Sequence, residues 1–473
     1  MKKSTLVFFT NLSYAILSNL LSFIVSTLTV LIIPRIIGAE AFGYWQVYLF
    51  YTLYIGFLHF GLIDGVYLRI GGFDYFKLKS NLLQVHFLVL LISQLIIASI
   101  GILLSLILVS DTNRMFIWMM TALCLLITNV RLFFIIVLQA TNRVKEYSWI
   151  LVIDRVINIL LILFFILLEQ MDFITLIAAD LLWKLSTLLL GLVYCRDIVF
   201  RKPFDISNGL KDTIKSIKAG MKILIATLAN LLIMGIVRLG IEMNWDVTTF
   251  GKVSLTLSIS NMILIFVTAI GMLLYPILRR TEERLLGILY KDITILLSIF
   301  LFFILVFYYP IKVILLLWLP DFAEGIRYMA LLFPILVSEG KMALLLNPYA
   351  KTLREESMLM KVNIISLIIA TLLTVITVYG LDNLNLAVLS ITVVLWVRCI
   401  ITEIYIAKAL ELKYSMNQVY ELVLIISFVI MSWFLSGLLT TTVYLALLIL
   451  YTTINRTRFI EAFENMKLLA RSS

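Results

Sequence analysis

The sequence predicts an all-α integral membrane protein that crosses the bilayer with about 14 helices. Three observations support this fold class: the composition, the succession of apolar segments, and the distribution of positive charge between them. Apolar residues make up 62% of the 473-residue chain, charged residues only 14%, and the mean hydropathy is +1.08. A soluble domain carries about 25% charged residues because its surface faces water. Most of this surface must therefore face hydrocarbon.

Fourteen apolar segments are separated by proline, glycine and charged residues, and each is close to the roughly 20 residues needed to cross a bilayer. Helices are the expected form, because a loop or an open sheet facing lipid leaves backbone groups without hydrogen-bond partners. The predicted spans are 10–33, 43–66, 82–109, 115–140, 149–168, 174–195, 219–241, 251–277, 292–318, 323–346, 362–379, 386–407, 419–437 and 440–455.

Positive charge alternates between successive connections, as expected if both ends of the chain are cytoplasmic. Lysine and arginine concentrate in every second connection and in both termini, for example in 196–218, 279–291 and 456–471. The intervening connections contribute little beyond Arg35, Arg114 and Arg327. Cytoplasmic loops of membrane proteins carry this excess of cations. One span too many or too few would invert the alternation, so an even number of spans is predicted.

The longest hydrophilic segment separates two groups of six spans. We predict an N-terminal lobe over 1–195, a cytoplasmic linker over 196–218, a C-terminal lobe over 219–409, and two further helices with a basic tail over 410–473. The sequence ANLL at 229–232 repeats the SNLL at 18–21, directly after the linker. Six helices per lobe predict a pseudo-two-fold axis along the membrane normal.

The composition and the connections argue against enzymes, metal sites and nucleic-acid binding. The net charge of +10 is explained by the cytoplasmic loops rather than by nucleic acid. Cys124, Cys195 and Cys399 lack the spacing of a disulfide framework or a metal site, and His59 and His86 are the two histidines. The predicted outer connections are short, and no catalytic motif is found. No catalytic residue, metal or cofactor is therefore expected, and transport is favoured over enzymatic activity.

Ionisable residues inside the spans are the candidates for function, because a charge in hydrocarbon is costly and usually faces a cavity or a partner. Most of them are cations, which suits an anionic cargo such as a diphosphate. The candidate cations of a substrate lumen are Arg35, Arg131, Arg155, Lys184, Lys222, Arg238 and Arg398. The candidates for coupling or gating are His59, Asp64 and Asp180.

Each candidate also has a structural explanation. Asp64 and the cations near span ends, among them Arg35 and Lys222, are close enough to an interface to reach it with their side chains. Asp180 and Lys184 are four residues apart on one helix face and can neutralise each other. Glu403 is a candidate partner for Arg398, and a histidine in a span is often a hydrogen-bonded packing residue.

Several local sequences resemble one transporter family. They are IIGAEAFGY at 36–44, FGLIDG at 60–65 and, in the second lobe, YPILRR at 275–280. With fourteen predicted spans in two lobes plus two helices, the whole chain resembles the Wzx-type flippases. These form the polysaccharide-transport branch of the multidrug/oligosaccharidyl-lipid/polysaccharide (MOP) exporter superfamily. The resemblance implies a fold like that of the multidrug and toxin extruders (MATE) and other members of the superfamily.

The resemblance also implies a cargo and a mechanism. The cargo would be an oligosaccharide on undecaprenyl diphosphate, moved to the outer leaflet of a bacterial inner membrane for O-antigen or capsule synthesis. Alternating access would occur around a cationic lumen lined by helices one, two, seven and eight. The expected partners are the lipid-linked oligosaccharide, membrane lipids, a polysaccharide polymerase and a chain-length regulator.

Four alternatives stay open at this point. One is a non-transporting scaffold of an assembly complex, in which cations inside the spans would have no purpose. A lipid II flippase would share the fold and the diphosphate carrier. A multidrug extruder would share the superfamily, but it usually has twelve spans and favours acidic residues for a cationic drug. A repeat-unit polymerase or a lipid-linked glycosyltransferase would need a large outer loop with catalytic carboxylates, and no such loop is predicted.

Overall fold

The described part of the protein is helical, and the predicted fold class is confirmed. The computed structural model describes residues 20–78, 80–200, 206–412, 417–435 and 437–472, and these contain no β-strand. The first half of predicted span 10–33, including the SN of the repeated SNLL, lies outside the described residues. The chain divides into two compact units, Met1–Leu228 and Ala229–Ser473.

The first unit contains six apolar helical segments and one short amphipathic segment. The segments are α1 (Leu20–His59), α2 (Leu62–Ile70), α3 (Ser80–Leu108), α4 (Thr112–Ala140), α5 (Val144–Leu167), α6 (Phe173–Tyr194) and the beginning of α7 (Ile206–Asn244). Predicted spans one and two both fall on α1 and α2. The expected loop between them is instead helical, with a kink at Gly38, whose positive φ of 77° suits glycine.

The second unit begins within α7. Its other segments are α8 (Val247–Arg280), α9 (Glu283–Trp318), α10 (Pro320–Leu332), α11 (Ile335–Thr352), α12 (Glu356–Gly380), α13 (Leu384–Ala409), α14 (Asn417–Phe434), α15 (Leu438–Ile454) and α16 (Arg456–Ser472). Helices α10 and α11 meet at an angle of 46°. The part of the predicted linker from Ile206 to Lys218 is the first turns of α7 rather than a loop.

Four of the short predicted outer connections supply the cap of the helix that follows. The side chains of Asp111, Asp172, Asp246 and Asn383 accept hydrogen bonds from backbone amides in the first turns of α4, α6, α8 and α13. Such caps satisfy amides that have no partner inside the helix. The breaks between these spans are therefore encoded locally in the sequence.

The described helices have the apolar surface of a multi-pass membrane protein. Nine are long and apolar enough to span a bilayer, or ten if the bent pair α10–α11 is one span, and α14 and α15 are shorter apolar helices. This count is lower than the predicted 14 for three reasons. Predicted spans one and two share α1, the last two spans are short, and α8 is not among the nine.

Candidate functional site

The helix break between α1 and α2 carries two of the predicted residues, His59 and Asp64. Helix α1 ends in a 3₁₀ turn at Gly56–His59, followed by Phe60 and Gly61, which both have positive φ. A break inside an apolar region leaves carbonyl groups without helical partners. Here Asn129 donates to the carbonyl of Ile55 at 3.0 Å. Discontinuous helices of this kind often form transport sites.

Polar side chains from α3 and α4 support this break. Gln94 donates to the carbonyl of Leu58 at 3.0 Å, and its own side-chain oxygen accepts from Asn129 at 2.7 Å. Gln94 and Asn129 are both fully buried. The two amides therefore replace the helical hydrogen bonds that the break removes, and they hold the irregular backbone in one conformation.

His59 and Asp64 face each other across the break. The Nδ1 atom of buried His59 accepts a hydrogen bond from the backbone amide of Gly61 at 3.1 Å. A neutral histidine with an accepting Nδ1 carries its proton on Nε2. Nε2 lies 3.8 Å from Oδ2 of half-buried Asp64, too far for a direct hydrogen bond. A small movement of either side chain would bring them into contact.

Glycine and serine bring α2 and the beginning of α7 into backbone contact. A Cβ atom on Gly65 would lie 1.8 Å from the carbonyl oxygen of Ser216, and one on Gly220 would lie 2.0 Å from that of Gly61. Small residues permit this close approach of membrane helices. Arg69 adds an ion pair to Asp212 at 2.6 Å. Two helices predicted to line a lumen are thus joined within the first unit.

Arg131 is held by an ion pair inside the first unit. Its guanidinium contacts the carboxylate of Asp154, donates to the hydroxyl of Thr187 at 2.8 Å, and lies 5.2 Å from the centre of the Trp183 ring. The Arg131 and Asp154 side chains are 11% and 5% exposed. The sequence analysis overlooked Asp154, which lies on α5 beside the candidate Arg155.

Asp180 and Lys184 form the contact that their spacing predicts. Lys184 Nζ lies 2.6 Å from Asp180 Oδ2, and Tyr48 donates its hydroxyl to the same oxygen at 2.5 Å. Lys184 Nζ also lies 3.3 Å from the sulfur of Cys124. All four side chains are buried. The pair joins α1, α4 and α6, which favours a structural role over a ligand contact.

Arg398 has a different partner from the one suggested by the sequence. Its guanidinium donates to Glu339 at 2.8 Å and to Asn230 at 2.6 Å. Glu403 is five residues further along α13, and its side chain therefore points about 140° around the helix axis from that of Arg398. The suggested Arg398–Glu403 pair is therefore wrong. Arg398 instead joins α7, α11 and α13 within the second unit.

Glu403 belongs to a cluster around Lys341 that the sequence analysis did not identify. Lys341 Nζ lies 2.6 Å from Glu403 Oε1 and 2.6 Å from Glu421 Oε2. The exposed fractions of the Lys341, Glu403 and Glu421 side chains are 0%, 3% and 1%. These residues lie on α11, α13 and α14, up to 80 positions apart, so no spacing rule relates them.

The remaining candidate cations lie nearer to the surface of their units. Arg35 and Lys222 are exposed, and Arg155 is half-buried. Half-buried Arg238 donates to the hydroxyl of Ser254 at 3.0 Å and lies 5.3 Å from the centre of the Phe250 ring. Arg35 and Lys222 are therefore the candidates most accessible to an anionic group from outside the fold.

A basic cavity lies at one end of the second unit, where the connections after α8, α11 and α13 meet. Its volume is about 910 Å³. It is lined by four cations, Arg279, Arg284, Lys291 and Arg354, and by the carboxylates of Glu283 and Glu411. The excess of cations favours an anionic occupant. All four belong to segments predicted to be cytoplasmic.

Cys195, in a connection of the first unit, is buried and unreactive. Burial raises the pKa of the Cys195 thiol to about 12. The neighbouring Tyr75 donates to Asp197 at 2.8 Å and stacks against the guanidinium of Arg143, 4.5 Å from the ring centre. A thiol with so high a pKa is not a nucleophile near neutral pH.

In the described part of the chain, no group of three or more His, Cys, Asp or Glu could hold a metal ion.

Similarity to known proteins is found in structure and not in sequence. No protein-family model matches the chain, and no curated protein matches it. The lipid II flippase MurJ in an inward-closed conformation is similar in structure, with a TM-score of 0.58 at 11% identity, over 96% of this chain and 99% of that one. The similarity at this identity concerns the fold alone.

Two further solved structures are similar over less of the chain. A MOP superfamily transporter from Pyrococcus furiosus has a TM-score of 0.44 at 14% identity, over 85% of this chain and 93% of that one. An outward-facing multidrug resistance MATE family transporter of the MOP superfamily has a TM-score of 0.45 at 16% identity, over 85% and 95%. The chain thus shares its overall helical fold with the MurJ structure.

Proposed function

We propose that this protein is a flippase that moves oligosaccharide repeat units linked to undecaprenyl diphosphate from the cytoplasmic to the outer leaflet. The observation that carries the proposal is the similarity in fold to a lipid II flippase over 96% of this chain and 99% of that one. Such a cargo can leave its lipid tail in the bilayer while its polar head crosses the protein.

The accessible cations support an anionic cargo. Arg35 on α1 and Lys222 on α7 are exposed, and the basic cavity of about 910 Å³ offers four more cations in the second unit. Guanidinium and ammonium groups bind phosphate oxygens through charge-assisted hydrogen bonds. The side chains of Arg131, Lys184 and Arg398 are mostly buried inside their units, with exposed fractions of 11%, 11% and 4%. The exposed cations are therefore the better candidates for the diphosphate contact.

The proposal includes a location and partners. The protein would reside in a bacterial inner membrane with both termini in the cytoplasm, as the alternation of charge predicts. It would move its cargo by alternating access and supply O-antigen or capsule synthesis. A polysaccharide polymerase and a chain-length regulator would act on the translocated product.

A lipid II flippase is the second candidate function. It is favoured by one specific observation, the fold similarity to a protein of that function. The two functions differ in the sugar and peptide attached to the same diphosphate carrier. The cargo, rather than the fold, must therefore distinguish them.

Translocation in proteoliposomes tests the proposal. The purified protein would be incubated separately with an undecaprenyl-diphosphate oligosaccharide, with lipid II and with a cationic dye. We expect protein-dependent flipping of the oligosaccharide lipid. Flipping restricted to lipid II would favour the second candidate. Efflux of the dye without movement of either lipid would contradict both.

Charge substitutions test the role of the exposed cations in the same assay. We expect Arg35→Ala and Lys222→Ala to lower the flipping rate about tenfold each, because each removes a charge-assisted contact to phosphate. Arg35→Lys should retain more activity than Arg35→Ala. Lys145→Ala, which removes an exposed lysine at the beginning of α5, is the matched control. Equal effects of Lys145→Ala and the two test substitutions would contradict a specific role for these cations.

A further inference from the structure

The Lys341 cluster contains more negative than positive charge. One ammonium group lies between two carboxylates at 2.6 Å each, and the three side chains are at most 3% exposed. If all three groups are ionised, the cluster has a net charge of −1. A buried charge without compensation costs several kcal/mol, and the cost is avoided if the group takes up a proton or a counterion.

The groups that surround the cluster do not supply the missing positive charge. The neighbours on α9 are Ser298 and Tyr290, the neighbour on α15 is Tyr451, and Cys399 on α13 lies 3.9 Å from Glu403. The nearby cation Arg398 is bound to Glu339 at 2.8 Å. Among the described residues, no second cation forms an ion pair with Glu403 or Glu421.

A metal cation is a poor candidate for the missing charge. The Lys341 ammonium occupies the position between the carboxylates and donates to both. A metal ion placed there would be repelled by the ammonium and would have to displace it. A proton needs no such space, because it forms part of an existing hydrogen bond.

The hydrogen bonds indicate where the proton resides. Both oxygens of Glu403 face donors, the Lys341 ammonium and the side-chain amide of Gln418 at 2.9 Å. One oxygen of Glu421 also faces Lys341, but its Oε1 lies 2.6 Å from the hydroxyl of Ser298. A hydroxyl can accept a hydrogen bond as well as donate one. In the structure the Ser298 hydroxyl donates to Oε1 of Glu421. Once that hydroxyl hydrogen rotates away, a protonated Glu421 can donate to Ser298 without movement of a heavy atom.

We propose that the Lys341–Glu403–Glu421 cluster is a proton-binding site, that Glu421 holds the proton, and that its exchange is coupled to transport. When the proton leaves, the O–H bond of Glu421 breaks and an O–H bond of a hydronium ion forms on water; when the proton binds, the reverse occurs. The binding of the proton rests on the charge count and the hydrogen bonds, and the coupling rests on the proposed transport function. Buried carboxylates serve as proton relays in other membrane transporters.

Infrared difference spectroscopy tests proton binding without any transport assay. At neutral pH, the purified protein should show the carbonyl stretch of a buried carboxylic acid, and Glu421→Gln should remove it. The variant keeps the Lys341–Glu403 pair, and its amide imitates a protonated carboxyl group, so we expect it to fold. The matched control is Glu339→Gln, whose carboxylate belongs to the one-to-one pair with Arg398. It should leave the band in place.

A band that survives Glu421→Gln but disappears in Glu403→Gln would move the proton to Glu403 and overturn the assignment to Glu421. The absence of any band assigned to either glutamate would overturn the proton site altogether.

A pH gradient across proteoliposomes tests the coupling. Wild-type flipping should change severalfold when the gradient is imposed or reversed, and Glu421→Gln should lose this response while Glu339→Gln keeps it. An equal response in both variants would overturn the coupling. If no lipid is flipped under any condition, the proposed function fails, whereas the infrared band still decides the proton site.

Discussion

The buried ion pairs of the first unit and the Lys341 cluster of the second unit differ in the ratio of cations to carboxylates. In the first unit, Arg131 pairs with Asp154 and Lys184 pairs with Asp180, one cation to one carboxylate. In the second unit, Lys341 contacts two carboxylates and is more deeply buried than either cation of the first unit. A balanced pair satisfies itself and joins its helices. An unbalanced cluster must bind a proton or a counterion to neutralise its excess charge. The ratio of cations to carboxylates therefore distinguishes structural ion pairs from candidate functional ones.

Removal of both carboxylates from Lys341 should have the largest effect. The double variant Glu403→Gln/Glu421→Gln leaves a buried ammonium without a counter-charge, and such a change costs about 3–5 kcal/mol. We expect the unfolding temperature of the variant in detergent to lie far below that of the wild type, or the variant not to accumulate when it is expressed. Glu421→Gln alone is its control. A double variant as stable as the single one would show that the ammonium does not require a carboxylate.

The same chemical change should have unequal effects in the two units. Among the described residues, Asp154 is the one carboxylate that pairs with Arg131, so we expect Asp154→Asn to lose about 3 kcal/mol, moderated by the retained bond to Thr187. A protonated Glu421 is already neutral, so Glu421→Gln exchanges one neutral hydrogen-bonding group for another, leaves the Lys341–Glu403 pair and should cost about 1 kcal/mol or less. Denaturant unfolding of both variants in the same detergent measures the difference. Equal losses would mean that the charge balance has no energetic consequence.

The sequence predicted the helices well because the rules that define them are local. Apolar length, the alternation of loop charge and the capping residues at Asp111, Asp172, Asp246 and Asn383 all operate within about 25 residues. The sequence analysis predicted a loop where the structure has a continuous helix with a kink at Gly38. A kinked helical connection and a short loop have nearly the same composition. The count of membrane spans depends on how α1 and the shorter C-terminal helices are treated.

The buried clusters were less predictable because they join distant parts of the chain. The Asp180–Lys184 contact was predicted, since the two residues are four apart on one helix. Lys341 and Glu421 are 80 positions apart, and only the packing of α11 against α13 and α14 brings them together. A signal did exist in the sequence: Glu421 is an ionisable residue near the start of an apolar helix, and such residues require a partner.

The helix crossing of the first unit depends on backbone contact and should respond to a single methyl group. Gly65→Ala places a Cβ atom 1.8 Å from the Ser216 carbonyl oxygen, so the helices must separate. We expect a loss of about 1–3 kcal/mol in denaturant unfolding. Gly56→Ala is the control, because its Cβ would meet no atom within 4 Å. Comparable losses in both variants would indicate a general intolerance of α1 and α2 rather than a specific crossing.

Removal of the Ser298 hydroxyl should have the smallest effect on stability and the most specific effect on the proton. A side-chain hydrogen bond between membrane helices contributes about 0.6 kcal/mol on average, so Ser298→Ala should change unfolding only slightly. A protonated Glu421 would, however, lose its acceptor, and its infrared carbonyl band should move to higher wavenumber. Ser338→Ala is the control, because the hydroxyl of Ser338 bonds to the carbonyl of Ile335 in its own helix. If the band is unchanged in Ser298→Ala, the proton does not lie between Glu421 and Ser298. The proton that balances the charge of the cluster would then have to be shared within the Lys341–Glu403 contact.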